Sequence, residues 1–138
     1  MKVERIDHIH AYVKDVDKAA GLFQGLLGRE FYPVWESAEF GAKVAFNPLG
    51  LEFIQPTDPK GMTAKALGSW KEGQICISLK VPDIEEAIAE MESHGIKMIA
   101  KLQVGKLKEA AFEPTKTLGI MIELCEYPGD DITVASMG

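Results

Sequence analysis

The chain has 138 residues, of which 46% are hydrophobic and 26% charged, a composition that indicates one compact globular domain. Its formal net charge of −6 predicts no basic surface for nucleic acid or for an anionic membrane. No apolar run approaches the roughly 20 residues of a membrane span, and the N-terminal MKVERIDH lacks the hydrophobic region of a signal peptide. Because both cysteines fall inside predicted strands, we expect a protein of the reducing cytoplasm.

The first half of the chain predicts a strand, a helix and three further strands. In the first strand, residues 2–13, His8 and His10 point to one face, whereas Ala11 and Val13 point to the other, which suits packing under a helix. That helix can be capped by an aspartate and ended by a glycine, at Asp15 or Asp17 and at Gly28. The three strands that follow, with a hairpin turn at 47–50, are predicted at 30–37, 40–46 and 51–55.

The second half repeats this order. Val13-Lys14-Asp15-Val16 returns as Val81-Pro82-Asp83-Ile84 about 70 residues later. Asp83 and Glu86 form a capping box for the second helix, which is predicted to end at His94-Gly95. The strands of this half are predicted at 73–81, 96–104, 109–112 and 118–126.

Units of this size cannot each bury a sheet face alone, so the repeat predicts two sheets that close on one another. The predicted fold is α+β: a single domain, 1–138, with two βαβββ modules whose curved sheets form one cup. The modules are residues 1–56 and 73–127, joined by a polar connector, 57–72, and followed by a tail, 128–138. The sheet faces away from the helices are expected to line a cavity.

Four residues occupy matching positions on those faces: His8 and Glu52 in the first module, Cys76 and Glu123 in the second. Glu123 interrupts an apolar run, and a carboxylate there is costly to bury unless it is paired or bound to metal. A lone strand histidine is more often structural, and a lone glutamate is more often at a solvated rim. Two carboxylates and a histidine that meet in one cavity would instead form a divalent-cation site.

The stretches DHIHAYVKDVDKAAGLFQGLLG, LGLEFIQP and LGIMIELCEYP resemble the vicinal oxygen chelate superfamily over roughly residues 3–127. That superfamily includes glyoxalase I, methylmalonyl-CoA epimerase, extradiol dioxygenases and bleomycin-resistance proteins, and the epimerases are the most similar in appearance. The resemblance implies paired βαβββ modules and a divalent metal, with Zn, Mn, Co, Ni, Mg and Fe all open. Carried over by position, the metal ligands are His8, Glu52, Cys76 and Glu123.

Two of these positions differ from the family pattern. Cys76 stands where the family has a histidine, and Glu52 stands where epimerases often have glutamine. A Cys76 thiolate would leave the metal centre with a net negative charge and favour a soft or borderline metal such as zinc. If Cys76 stays a neutral thiol, the ligands are His8, Glu52 and Glu123, with open positions for a chelating substrate. We favour the three-ligand set.

The resemblance also implies an activity. Glu39-Phe40-Gly41, leading into residues 44–46, is similar to the epimerase strand that bears a catalytic glutamate. The main hypothesis is a metal-dependent isomerase, epimerase or lyase that stabilises the enolate of a small carbonyl or thioester substrate, with Glu39 or Glu123 moving the proton. The alternative is a metal-free small-molecule binding protein similar to bleomycin-resistance proteins, and the third hypothesis is an extradiol-type dioxygenase. The only partners expected are a small-molecule substrate and a second copy of the chain in a homodimer.

Overall fold

The computed structural model describes residues 1–137, and their contacts divide the chain into two compact units. The N-terminal unit comprises residues 8–75, and the C-terminal unit comprises residues 1–7 together with 76–138. The first strand, β1 (Arg5–Tyr12), therefore gives its first three residues to the C-terminal unit and the rest to the N-terminal unit. None of the helices within residues 1–137 combines the length and the apolar character that spanning a membrane requires.

The N-terminal unit has one helix against a four-stranded sheet and a second, shorter helix near its end. After β1, its elements are α1 (Val16–Leu27), β2 (Trp35–Ser37), β3 (Ala42–Asn47), β4 (Leu51–Pro56) and α2 (Met62–Leu67). The strands lie in the order β2-β3-β4-β1, with β1 parallel to β4 and the other neighbours antiparallel. The first and last strands of the module are thus side by side.

The helix α1 begins and ends where its capping residues predict. The Asp15 carboxylate accepts a hydrogen bond from Lys18 N at 3.1 Å, and Gly28 ends the helix in the left-handed conformation at φ 64°. The apolar residues of this unit's core lie between α1 and one face of the sheet: Ala11, Val13, Val16, Ala45 and Phe53, with Phe23 and Phe31 packed against them. Leu22 and Leu26, on the outer side of α1, are 61% and 69% exposed.

The C-terminal unit repeats this architecture. Its elements are β5 (Ile75–Lys80, whose first residue is counted with the N-terminal unit), α3 (Ile84–Ser93), β6 (Met98–Val104), β7 (Leu107–Phe112), β8 (Met121–Glu126) and α4 (Ile132–Met137). The strands lie in the order β5-β8-β7-β6, with β5 parallel to β8 and the other neighbours antiparallel. The predicted α+β fold with two βαβββ modules is therefore confirmed.

The core of the C-terminal unit lies between α3 and one face of its sheet. Asp83 caps α3 by accepting a hydrogen bond from Glu86 N at 3.1 Å, as the capping box predicts. The buried residues of the core are Val81, Ile84, Ala87, Ile88, Met91, Ala110, Phe112 and Leu124. Because successive strand residues alternate between faces, Ser78, Glu109, Glu123 and Cys125 lie on the face away from α3.

Several predicted boundaries are wrong. The strand predicted at 30–37 is reduced to Trp35–Ser37, since Pro33 lacks a backbone donor and disfavours regular structure before it. The strand predicted at 118–126 begins only at Met121, because Leu118 and Gly119 have φ values of 60° and 82°.

The connector and the tail both contain helices that their sequences do not announce. Residues 57–72 include α2, and residues 128–138 include α4, whose Ala135 is buried beside Leu107, Cys125 and Tyr127. The short length of each helix leaves too few turns for a periodic apolar pattern to be recognised. The division into modules 1–56 and 73–127 within one domain stays a prediction.

Candidate functional site

The face of the N-terminal sheet that points away from α1 carries two histidines and a glutamate. His8 and His10 are each only 3% exposed, and their ring centroids are 6.0 Å apart. In the parallel pairing of β1 with β4, His10 lies level with Glu52, and His8 comes two residues before that level. The strand pairing therefore places the predicted ligands His8 and Glu52 on one face, one strand apart.

Aromatic rings surround these histidines. The ring of His8 meets the edge of Phe46 at 5.9 Å, and His10 meets Tyr12 at 5.5 Å. Tyr12 in turn lies 6.3 Å from Trp70, which belongs to the predicted connector. Such surroundings limit the access of water and so strengthen any charge interaction that the imidazoles make.

The matching face of the C-terminal unit carries Glu123 near the middle of β8. Glu123 is 9% exposed, and its Oε1 accepts a hydrogen bond of 2.9 Å from the Ser78 hydroxyl. In the parallel pairing of β5 with β8, Ser78 lies level with Glu123, while Cys76 lies level with Met121. Cys76 is fully buried and lies two residues before Ser78, the residue paired with Glu123. In the same way, His8 lies two residues before His10, the residue paired with Glu52.

A residue that the sequence analysis did not single out, Glu109 on β7, joins Glu123. One carboxylate oxygen of each residue lies within 4.8 Å of the other. Two ionised carboxylates at this spacing repel each other unless a cation or a shared proton lies with them. Oxygen donors suit divalent cations, so the donor set on this face fits a divalent metal.

A second polar group on this unit surrounds Asp7 and Tyr127. The Tyr127 hydroxyl donates to Asp7 Oδ1 at 2.5 Å, and Arg5 Nη2 donates to the Tyr127 oxygen at 2.8 Å. Lys80 lies with its Nζ 4.1 Å from the centroid of the Tyr127 ring and donates to the Gly129 carbonyl. These contacts fasten Tyr127 and the start of the tail to the strands β1 and β5.

Cys125 lies beside this group, with Sγ within 4.8 Å of an Asp7 carboxylate oxygen. Burial raises the pKa of the Cys125 thiol, and the carboxylates of Asp7, Glu123 and Glu109 raise it further, against a smaller lowering by a hydrogen bond with Ser78. Burial and the hydrogen bond to Asp7 likewise raise the pKa of Tyr127. Cys125 is therefore a neutral thiol near pH 7 and a poor metal ligand.

These raised pKa values predict that the protein loses stability in alkaline solution. Above the ordinary thiol value of 9.0, Cys125 ionises in the unfolded chain but not in the folded one. The free energy of unfolding should then fall with rising pH by up to about 1.4 kcal/mol per pH unit for this group. Urea unfolding of wild type and Cys125→Ala between about pH 8 and pH 10 measures the slope. The slope should be shallower in Cys125→Ala, and equal slopes would contradict the prediction.

The predicted catalytic residue Glu39 lies apart from strand surfaces, in the turn between β2 and β3. Its side chain is exposed, and the backbone of the turn sets the point from which its carboxylate can reach. Within the N-terminal unit the structure therefore brings His8 and Glu52 to one sheet face and places Glu39 at the tip of the β2–β3 hairpin.

The chain belongs to the Glyoxalase/Bleomycin resistance protein/Dioxygenase superfamily, since the sequence profile of that family matches residues 7–112. The resemblance stated from the sequence is thus confirmed. Together with the curated relatives, this membership supports an enzyme of the superfamily.

Three proteins illustrate the likeness. The uncharacterized protein YqjC of Bacillus subtilis is 27% identical over 134 residues, covering 93% of this chain and 96% of that protein. The mitochondrial methylmalonyl-CoA epimerase of Mus musculus is 23% identical over 130 residues, covering 89% of this chain and 73% of the mouse protein. The solved structure of a Streptomyces coelicolor methylmalonyl-CoA epimerase variant, in complex with 2-nitronate-propionyl-CoA, superimposes with a TM-score of 0.78 at 20% identity. It covers 94% of this chain and 99% of its own.

Proposed function

We propose that this protein is a metal-dependent epimerase that inverts the α-carbon of an acyl-CoA thioester. The observation that carries the proposal is Glu123: a carboxylate buried to 9% exposure in an apolar strand, held by the Ser78 hydroxyl and close to Glu109. A carboxylate is costly to bury unless it is paired, binds a cation or carries a proton, and active sites are where such groups are found. The similarity to methylmalonyl-CoA epimerases supports the thioester as substrate.

The residues assigned to the chemistry are Glu39 and Glu123. One carboxylate removes the α-proton, so that the C–H bond breaks, a carboxylic O–H bond forms and the electron pair moves onto the thioester as an enolate. The other carboxylic acid returns a proton to the opposite face of the same carbon. The Ser78 hydroxyl, which donates to Glu123 Oε1, keeps that carboxylate in one orientation.

The proposed metal ligands are His8, Glu52 and Glu123, with Cys76 as a neutral neighbour. Their positions in the two modules correspond to one another, and the close pair formed by Glu109 and Glu123 fits a divalent cation. When bound, the cation would stabilise negative charge on the thioester oxygen. His8 is almost completely buried next to Phe46, so its imidazole is held in one place for ligation.

The test is proton exchange on methylmalonyl-CoA in deuterated water. After treatment with a chelator, the protein is supplied with Mn, Co, Ni or Zn, and mass spectrometry follows deuterium at the α-carbon while chiral analysis follows inversion. We expect exchange and inversion with at least one metal, and their loss on renewed chelation. Absence of exchange with every metal, together with absence of bound metal by elemental analysis, would contradict the proposal.

A metal-free binding protein is the second candidate, and one observation favours it. The fully buried Cys76 occupies the position at which the family resemblance predicts a histidine ligand. A Cys76→His variant separates the candidates, because it should tighten metal binding in an enzyme scaffold. If neither wild type nor Cys76→His binds any of the four metals, the binding protein is the better description. The homodimer and the cytoplasmic location stay predictions.

A further inference from the structure

The turn that carries Glu39 is held by a segment of the predicted connector. Residues 38–41 join β2 to β3, and we call them the Glu39 turn. The carbonyl of Phe40 accepts two hydrogen bonds from Thr63, one from its backbone N at 3.1 Å and one from its Oγ1 at 2.7 Å. The carbonyl of Gly41 accepts a third from Thr57 N at 2.8 Å. Both carbonyls that follow Glu39 are therefore bound by the connector.

Close approach between glycines makes this contact tight. A Cβ added to Gly41 would lie 3.3 Å from Gly61 Cα and 3.3 Å from Asp58 Cβ, and Gly41 has a φ of +63°. A Cβ added to Gly61 would lie 3.1 Å from the Asp58 carbonyl oxygen. These distances are shorter than ordinary van der Waals contact, so a side chain at either position would have to displace its neighbours. Glycine is required at Gly41 by its conformation as well.

The helix α2 has no side-chain cap at its start, and its Thr63 hydroxyl serves the Glu39 turn instead. The first residue before α2, Gly61, provides no side-chain cap. Thr63, near the start of α2, directs its hydroxyl to the Phe40 carbonyl rather than to a group of its own helix. A hairpin tip is ordinarily free to fray, and here it is fixed from one side at two successive carbonyls.

We propose that Thr63 is a positioning residue for Glu39, and that its hydroxyl, together with the backbone of residues 57–63, sets the place of this carboxylate for proton transfer. The inference rests on the proposed function of Glu39. Because the Glu39 side chain is exposed, the backbone of its turn sets the point from which its carboxylate reaches a substrate. A displacement of about 1 Å at a reacting group can cost on the order of 100-fold in rate.

The experiment measures epimerisation of methylmalonyl-CoA by the full chain with its optimal metal. We expect Thr63→Val, which keeps the shape but removes the hydroxyl, to lower kcat by about 10-fold to 100-fold with little change in KM. Thr63→Ser, which keeps the hydroxyl, should restore kcat to within about twofold of wild type. Thr57→Val is the matched control, since Thr57 uses only its backbone N, and its kcat should stay unchanged.

A double variant separates positioning from a general structural effect. In a Glu39→Gln background, Thr63→Val should lower kcat no further, because the group that Thr63 positions is already absent. An equal loss in both backgrounds would overturn the inference. If Thr63→Val keeps full kcat while Glu39→Gln loses it, the positioning role of Thr63 is wrong and the catalytic role of Glu39 stands. If Glu39→Gln keeps full kcat, both roles are wrong.

Discussion

Replacing Glu123 by glutamine is expected to lower the rate of epimerisation by about 10²-fold to 10⁴-fold, the usual contribution of a general acid or base. The amide has the shape of the carboxylate, and its oxygen can still accept the hydrogen bond of the Ser78 hydroxyl, so folding should survive. It cannot carry a proton, and it is a weaker ligand for a divalent cation. The measurements are kcat with methylmalonyl-CoA and the metal content of the purified variant.

The matched control for this variant lies on the same strand. Glu126 belongs to β8 but points to the opposite face, where its Oε1 accepts a hydrogen bond from Ile84 N at 2.9 Å. An amide oxygen at that position can accept the same bond, and its half-exposed ion pair with Lys108 contributes less than about 1 kcal/mol. Glu126→Gln should therefore keep wild-type kcat. If Glu123→Gln keeps it too, Glu123 has no part in proton transfer.

The largest expected loss of stability comes from Phe112→Ala in the core beneath α3. Phe112 is 1% exposed and packs among Ile84, Ile88 and Leu124. Truncating it removes buried apolar surface and leaves a cavity, which should cost about 3–5 kcal/mol in the free energy of unfolding. Urea unfolding of the full chain measures this loss.

An exposed leucine serves as the comparison for Phe112→Ala. Leu118 is 96% exposed, so Leu118→Ala removes little buried surface and should change the free energy of unfolding by no more than about 0.5 kcal/mol. If both variants lose a similar amount, the core of the C-terminal unit is not where the structure places it.

The parts of the fold that the sequence predicts are those in which one local interaction decides the outcome. Asp15 and Asp83 cap their helices because an aspartate there can reach a backbone N–H within its own first turn. Gly28 ends α1 because glycine adopts the left-handed conformation without strain. The division of β1 into two faces follows from the alternation of an extended chain and needs no knowledge of the partner strands.

The parts that the sequence does not predict depend on register between distant strands. Glu123 attracts attention because it interrupts an apolar run, whereas Glu109 sits next to Lys108 in a strand that looks solvated. The nearness of the two carboxylates depends on how β7 pairs with β8, and neither hairpin length nor alternation specifies it uniquely. Ser78, the hydrogen-bond donor to Glu123, is hidden for the same reason.

The contact between residues 57–63 and the Glu39 turn cannot be predicted from the sequence either. Residues 57–63 read as a polar connector because Asp58, Pro59 and Gly61 are turn formers, and that interpretation is locally right. The sequence does not indicate that Gly61 lies against Gly41, with no room for a side chain between them. Two glycines about 20 residues apart in the sequence each predict only a local turn, and their contact with one another is seen only in the folded structure.

The parallel pairing at the start and end of each module has a consequence for the order of folding. The β3–β4 hairpin closes over three residues, 48–50. In contrast, β1 meets β4, and β5 meets β8, only after about 40 residues of intervening chain. Closing the longer loop costs about 2 kcal/mol more chain entropy, so the hairpins are available before the parallel pairs form. His8, Glu52, Ser78 and Glu123 all lie on those late-pairing strands. Incompletely folded chains would therefore contain the hairpins before the candidate site residues are brought together. After dilution from urea, activity should recover more slowly than secondary structure.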